Sequence, residues 1–337
     1  MKLQVLLVAI VLCPLLSVAQ TELPDTVQTN SMDEVIISAN KAEETRKTIS
    51  QQVQLMTAKQ IRQAQAQTTA DLLSNTAGIF VQRSQMGGGS PVLRGFEASR
   101  IVLVVDGVRL NNLIYRAGHL QNILSLDNNS LERVEVLFGP SSTMYGSDAL
   151  GGVVHLYTKS PKFAHSNEKM NLKVDAFTRF GSANDEFTGH VDVNIGGKKF
   201  ASFTSITASN FGDLRGGENQ NPFYDGEYGV RPTYVETFSG VDSLVKNDDR
   251  YLQVQSAYKQ VDIIQKFLYK QNERTTHGLN VQLSTTSDIP RYDRLTDPDG
   301  AGLRNAEWYY GPADRFMVAY DFNQKRETGF FRRIHAG

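Results

Sequence analysis

Six histidines, one cysteine and 36 acidic residues are the raw material for chemistry in this 337-residue chain. Their spacing argues against catalysis. His-Glu-x-x-His, Gly-x-Ser-x-Gly and a Walker lysine are all absent. His155, His165, His190 and His277 are scattered without metal-ligand spacing. Gly87-Gly88-Gly89 lacks the Gly-Lys-Ser/Thr ending of a phosphate loop and reads as a tight turn. Asp106 follows an apolar run and precedes Gly107, where a structural role is the default. What remains is binding chemistry. One stretch between Arg109 and Leu124 holds Tyr115, Arg116 and His119. Imidazole serves as a metal ligand or as a partner for a neighbouring carbonyl, and the planar guanidinium suits carboxylates. Each of the three equally fits an ordinary surface position. The other binding element is Asp33-Glu34-Val35-Ile36-Ile37-Ser38-Ala39, whose three β-branched residues sit in a polar arm. Such a segment can add itself as a strand to a partner's sheet edge, or it can be the first strand of the domain that follows.

The elements that would position these residues begin after an export signal. Lys2, the apolar run Leu3–Leu16 and the small residues Ser17-Val18-Ala19 ahead of Gln20 form a signal peptide over residues 1–19. Lipidation at Cys13 fits less well, since Leu12 is bulky and Pro14 follows. Cys13 is the sole cysteine, so the mature chain has no disulfide and no Cys-ligated metal. The formal net charge of −1, with no basic block, argues against nucleic acid as a partner. No later segment resembles a transmembrane helix, so a membrane role requires a barrel.

Three regions follow the signal. Residues 20–44 are polar and read as a flexible arm. Residues 45–160 read as an α+β domain. Thr57 with Gln60 forms a capping box for a helix running toward Ala66, and Thr69 caps a second helix over residues 70–75 that Gly78 ends. Ile79-Phe80-Val81 starts a strand, and Val92-Leu93 follows the glycine turn. Ile101–Val105 is a strand buried on both faces, Leu131–Leu137 alternates, and Gly151-Gly152 opens a last strand through Tyr157.

From residue 166 onward, and clearly from Lys169, apolar and polar residues alternate. Leu172, Val174, Ala176 and Phe180 start the series; Phe187, Val191, Val193 and Ile195 continue it, then Leu252 with Val254, Leu279 with Val281 and Leu283, and Phe316 through Phe322. Strands of this kind, with a short turn at Gly196-Gly197 and a long loop over residues 211–249, fit a transmembrane barrel; a soluble β-sandwich has the same alternation. Residues 161–337 hold about eight strands, too few to enclose a folded domain, whereas a plugged lumen takes about 22. The expectation is a barrel that continues beyond residue 337, the other possibility being a domain outside a small barrel.

Residues 33–160 resemble the TonB box and plug of TonB-dependent outer-membrane receptors. The resemblance rests on Asp33–Ala39, Val92-Leu93-Arg94-Gly95-Phe96, Val104-Val105-Asp106-Gly107-Val108-Arg109, Leu131-Glu132-Arg133-Val134-Glu135-Val136, Gly139-Pro140 and Met144-Tyr145-Gly146-Ser147-Asp148-Ala149-Leu150-Gly151-Gly152-Val153, in the family's order. It implies an α+β plug domain followed by an incomplete antiparallel transmembrane β-barrel. It also implies an outer-membrane location with a periplasmic arm, TonB as partner at residues 33–39, and transport without a catalytic cofactor. The ligand would be a bulky chelate held between plug apices and outer loops. Asn111–Asn122, with Gly118-His119-Leu120, resembles the haem and haemoglobin branch; there His119 would ligate haem iron, and Tyr115 and Arg116 would contact the porphyrin and a propionate. Siderophores and cobalamin remain open, as does a binding protein that does not transport. Many relatives have Arg-Gly-Pro where this chain has Phe138-Gly139-Pro140, so their ion pairs do not carry over whole.

Overall fold

The computed structural model describes residues 35–36, 44–110, 122–219, 223, 229–300, 302–325 and 333–336. The N-terminal domain comprises β1 (Val53–Thr57), α1 (Ala58–Ala64), α2 (Thr69–Ser74), β2 (Ile79–Gln82), β3 (Ser90–Leu93), β4 (Ile101–Val105), β5 (Val108–Arg109), β6 (Leu131–Phe138) and β7 (Gly152–Thr158). Five of these strands share one sheet in the order β1-β6-β7-β4-β5, with β4 and β7 parallel and the other pairs antiparallel. β2 and β3 form a separate antiparallel pair. Every residue of β4 is buried because apolar packing covers both faces. Ile101, Leu103 and Val105 enter one core, with Leu72, Leu73 and Val134. Val102 and Val104 enter a second core, with Val53, Leu137 and Val153.

Local chemistry sets the helix ends. The Thr57–Gln60 capping box opens α1 as expected, and Gln65 in a left-handed conformation stops it two residues short of Ala66. The second cap is Thr68, not Thr69. Asp71 stands three residues after Thr68 and accepts its backbone N–H at 3.1 Å, while the Thr69 hydroxyl turns inward to donate to the Leu126 carbonyl at 2.5 Å. The expected alternation in β6 also gives way. From Val134 on, β6 is buried on both faces, because it lies between β1 and β7 with a core on each side.

The C-terminal region is a meander of β8 (Asn171–Gly181), β9 (Glu186–Gly196), β10 (Phe200–Phe211), β11 (Tyr258–Asn272), β12 (Thr275–Thr286), β13 (Arg315–Lys325) and β14 (Arg333–Ala336), each pairing antiparallel with the next. Its polarity is inverted relative to a soluble sheet. On β9 the polar residues Thr188, His190, Asp192 and Asn194 are buried, while Phe187, Val191 and Ile195 are exposed. On β13 Phe316, Val318 and Tyr320 are exposed at 71%, 55% and 53%. A soluble sandwich buries its apolar face; a barrel wall turns that face to lipid and its polar face to the lumen. The sheet is therefore a barrel wall. Among the described residues no helix is long and apolar enough to cross a membrane.

Several sequence expectations are corrected here. The described wall has seven strands, and Leu252–Val254 is not one of them: Leu252–Gln253 pairs with Leu214–Arg215 beyond the sheet. The described part of the long loop holds a hairpin of Thr233–Phe238 with Val241–Lys246. Sequence reading missed β10 and β11. In β10 the outward positions Ser202, Thr204 and Ala208 carry little hydropathy contrast, and in β11 the adjacent Ile263 and Ile264 break the two-residue period.

Candidate functional site

Asp106 joins the N-terminal domain to the wall through several polar contacts. Asp106 and Gly107 connect β4 to β5 with both residues at positive φ, 48° and 88°, the geometry of a type I′ hairpin turn that an Asp-Gly pair accommodates. Within the domain the Asp106 carboxylate accepts from the Thr158 backbone N–H at 2.8 Å and the Thr158 hydroxyl at 2.6 Å. From the wall it accepts Asn280 Nδ2 at 2.9 Å and Gln282 Nε2 at 2.8 Å. Lys266 Nζ lies 3.0 Å away, with both side chains buried. Burial alone would raise the Asp106 pKa; the Lys266 charge and the Thr158 donors outweigh it and hold the carboxyl below its usual range. The ion pair therefore joins the β4–β5 turn of the N-terminal domain to strand β11 of the wall.

The rest of the boundary is equally polar. Arg179 on β8 donates to the carbonyls of Ala66 and Gln67 at 3.0 and 3.3 Å, just past the end of α1, and pairs with Glu186 at 2.7 Å. Gln260 and Arg315 donate to the carbonyls of Leu124 and Ser125 at 2.7 and 2.8 Å. The Thr207 hydroxyl donates to Asp127 at 2.6 Å, His190 Nδ1 lies 2.7 Å from that hydroxyl, and His190 Nε2 faces Asp192 at 3.3 Å. Asp192 in turn pairs with Lys159 of the domain. One apolar contact interrupts this pattern: Met86 packs on Phe211, Tyr258 and Ile289. A Cβ on the neighbouring Gly87 would lie 2.7 Å from Ile289, so close approach to the wall accounts for a glycine here.

The other motif residues serve the domain's own interior. Leu93 and Phe96 exchange two backbone bonds of 2.9 Å around Arg94 and Gly95. The Arg94 guanidinium sits 4.7 Å above the Phe138 ring, so phenylalanine at the departure from Arg-Gly-Pro supplies a cation–π partner. Arg133 pairs with buried Glu135 at 2.7 Å and covers Tyr157 at 3.8 Å. Burial and the Glu135 charge push the Tyr145 hydroxyl up to about 12. Gly139 donates to Gly151 at 3.0 Å, and Gly146 donates to Ser142 at 2.9 Å. Glu132 is half-buried and Pro140 exposed. Among the described motif residues, Asp106 is bonded to the wall.

Tyr115, Arg116 and His119 lie outside the described residues, as do residues 33–34 and 37–39 of the arm. Val35–Ile36 pairs antiparallel with Glu44–Thr45. Sequence reading found Asp106 as a turn residue but missed Lys266, Asn280 and Gln282. Their signal was the polar face of β11 and β12, which pattern alone could not aim. Among the described residues no group of three or more His, Cys, Asp or Glu is placed to hold a metal ion.

Comparison with known proteins agrees with this architecture. Residues 45–153 match the family described as TonB-dependent Receptor Plug Domain. The vitamin B12 transporter BtuB of Vibrio vulnificus strain CMCP6 is 34% identical over 158 residues, which cover 46% of this chain and 25% of that protein. The chain spans about a quarter of the length of the curated relatives it matches. Among solved structures, the copper transporter OprC aligns with a TM-score of 0.60 at 15% identity, over 84% of this chain and 36% of its own. FpvA of P. aeruginosa bound to pyoverdine aligns with a TM-score of 0.60 at 15% identity, over 88% and 34%.

Proposed function

Because residues 45–153 match the TonB-dependent receptor plug domain and pack against antiparallel wall strands, we propose that the protein is a TonB-dependent receptor that carries out energised uptake of a bulky metal chelate across an outer membrane. The observation that carries this reading is the polar plug–wall boundary around Asp106. A hydrogen bond exchanged for one to water costs only about 0.5–1.5 kcal/mol net, so such a boundary can be opened by pulling and re-formed, whereas an apolar core of equal area would resist both. The plug thus closes the lumen at rest and yields under load. TonB is the partner that supplies the pull, gripping Asp33–Ala39 from the periplasmic side by strand addition.

The test separates binding from transport. Proline at Ile36 removes a backbone donor that strand pairing needs. Ile36→Pro should abolish uptake of a radiolabelled chelate by intact cells while leaving surface binding unchanged. Uptake at the parental rate would remove residues 35–37 from the coupling role.

Cobalamin and siderophores are the chelate classes favoured by the relatives named above. The haem reading rests on the Asn111–Asn122 stretch with its Gly118-His119-Leu120. If haem is the cargo, His119→Ala should alter the Soret band of the haem-loaded protein without reducing its amount in the membrane. An unchanged band would remove His119 as iron ligand.

A further inference from the structure

The wall has a line of rings at one end of its outward face. Phe200 pairs in register with Tyr269, Tyr269 with His277, and His277 with Phe322, on four successive strands β10 to β13. Directly opposed residues of an antiparallel pair share a face, so the four rings stand side by side. Their centroids are 5.8, 6.0 and 5.4 Å apart along that line. Tyr320, two residues from Phe322 and on the same face, places its hydroxyl 2.6 Å from His277 Nδ1. The line lies at the short-turn end, beside the β9–β10 turn over residues 197–199 and the β11–β12 turn at 273–274.

Immediately past the rings the chain places cations. Lys198 and Lys199 fill the first turn, and Lys270 donates its backbone N–H to the Lys199 carbonyl at 2.8 Å. Arg274 fills the second turn, and Lys325 donates its backbone N–H to the Arg274 carbonyl at 2.8 Å. Lys270 is paired with Glu273 at 2.7 Å. Lys198, Lys199 and Lys325 are exposed, and no described carboxylate pairs with them. The residues flanking the other ends of these strands include Asp213, Asp288 and Asp314, so the excess of exposed cations belongs to the ring end.

We infer that this edge of the wall binds the phosphate headgroup of an anionic phospholipid, with Lys198, Lys199 and Lys325 as the cations and the Phe200–Tyr269–His277–Phe322 row as the seat for its glycerol and upper acyl region. Amphipathic rings sit at the boundary between acyl chains and headgroups. Lysine stems lie along apolar surface while their ammonium groups reach the polar layer. The charge is complementary to a phosphodiester and has no partner to gain from an uncharged headgroup. The inference rests on the membrane reading above.

The protein is purified in mild detergent, inserted into vesicles of phosphatidylethanolamine with phosphatidylglycerol, and its retained lipid is measured by native mass spectrometry. The parent should retain phosphatidylglycerol above its share of the mixture. A Lys198→Gln, Lys199→Gln, Lys325→Gln variant should lose that preference, by roughly five-fold per charge removed, and the corresponding Lys→Arg variant should keep it. Lys259→Gln, exposed at the opposite end, should have no effect. Equal retention of both lipids by the parent, an unchanged triple Gln variant, an equal loss with Lys259→Gln, or displacement of the lipid by millimolar inorganic phosphate would overturn the inference and leave the transport reading standing. Failure of the parent to insert into vesicles would overturn both.

Discussion

Asp106 shows how one residue serves two bodies. Its turn geometry is local, but three of its partners, Lys266, Asn280 and Gln282, come from strands of the wall. Removing one member of a buried ion pair costs about 3–5 kcal/mol, because the other charge is left without compensation. Asp106→Asn should therefore loosen the plug by roughly that amount, read as a lower urea concentration for protease access to the plug. Adding Lys266→Met should recover much of the loss. The pH dependence follows from the sign of the shift. The folded pKa lies below the ordinary value near 3.8, so the contribution is complete above that value and is lost as pH falls through the lower folded one. The parent should show an acid-labile component of plug retention only below about pH 4, and Asp106→Asn should lack it. The turn was legible in the Asp-Gly pair. The partners were not, since a sequence pattern marks which face of a strand is polar but not which distant carboxylate that face will meet.

At the scale of elements, glycine placement and side-chain period decide what could be read. β7 begins at Gly152, whose φ of +148° and closeness to β6 leave no room: a Cβ there would lie 2.2 Å from the Leu137 carbonyl oxygen. Gly152→Ala should destabilise the plug sheet by roughly 3 kcal/mol or more, seen as trypsin cleavage within residues 45–160 in membranes where the parent resists; equal resistance would show that β6 and β7 can spread. The Gly151-Gly152 entry, the buried run of β4 and the Thr57 cap were all visible in the sequence. The shift of the second cap to Thr68 was hidden because Thr68 and Thr69 are equally good cap residues; Asp71 and the inward bond of Thr69 to Leu126 decide between them. β10 and β11 were hidden for the opposite reason, since their lumen-facing positions include Phe203 and Ile264 and so blur the alternation that exposed β9 and β13.

At the scale of the whole molecule, the inverted polarity of the wall separates two architectures that share one sequence pattern. Val318 on β13 is 55% exposed. In water an arginine there would change stability by no more than about 0.5 kcal/mol. On a lipid face near the middle of a wall strand it costs about 2–4 kcal/mol. Val318→Arg should accordingly lower the yield of heat-modifiable, membrane-inserted protein, measured by gel mobility before and after boiling. Unchanged yield would return the soluble sandwich to consideration.

The parallel pairing of β4 with β7 also governs timing. Ile101 finds its neighbour at Gly152, and Val53 finds its own at Leu137, so the middle of the plug sheet cannot assemble until a long stretch of chain is available. Contacts so distant along the sequence make for slow folding. The newly made polypeptide would thus pass through an extended interval with β4 bare, and a holding chaperone would find its target in the five-residue run Ile101–Val105.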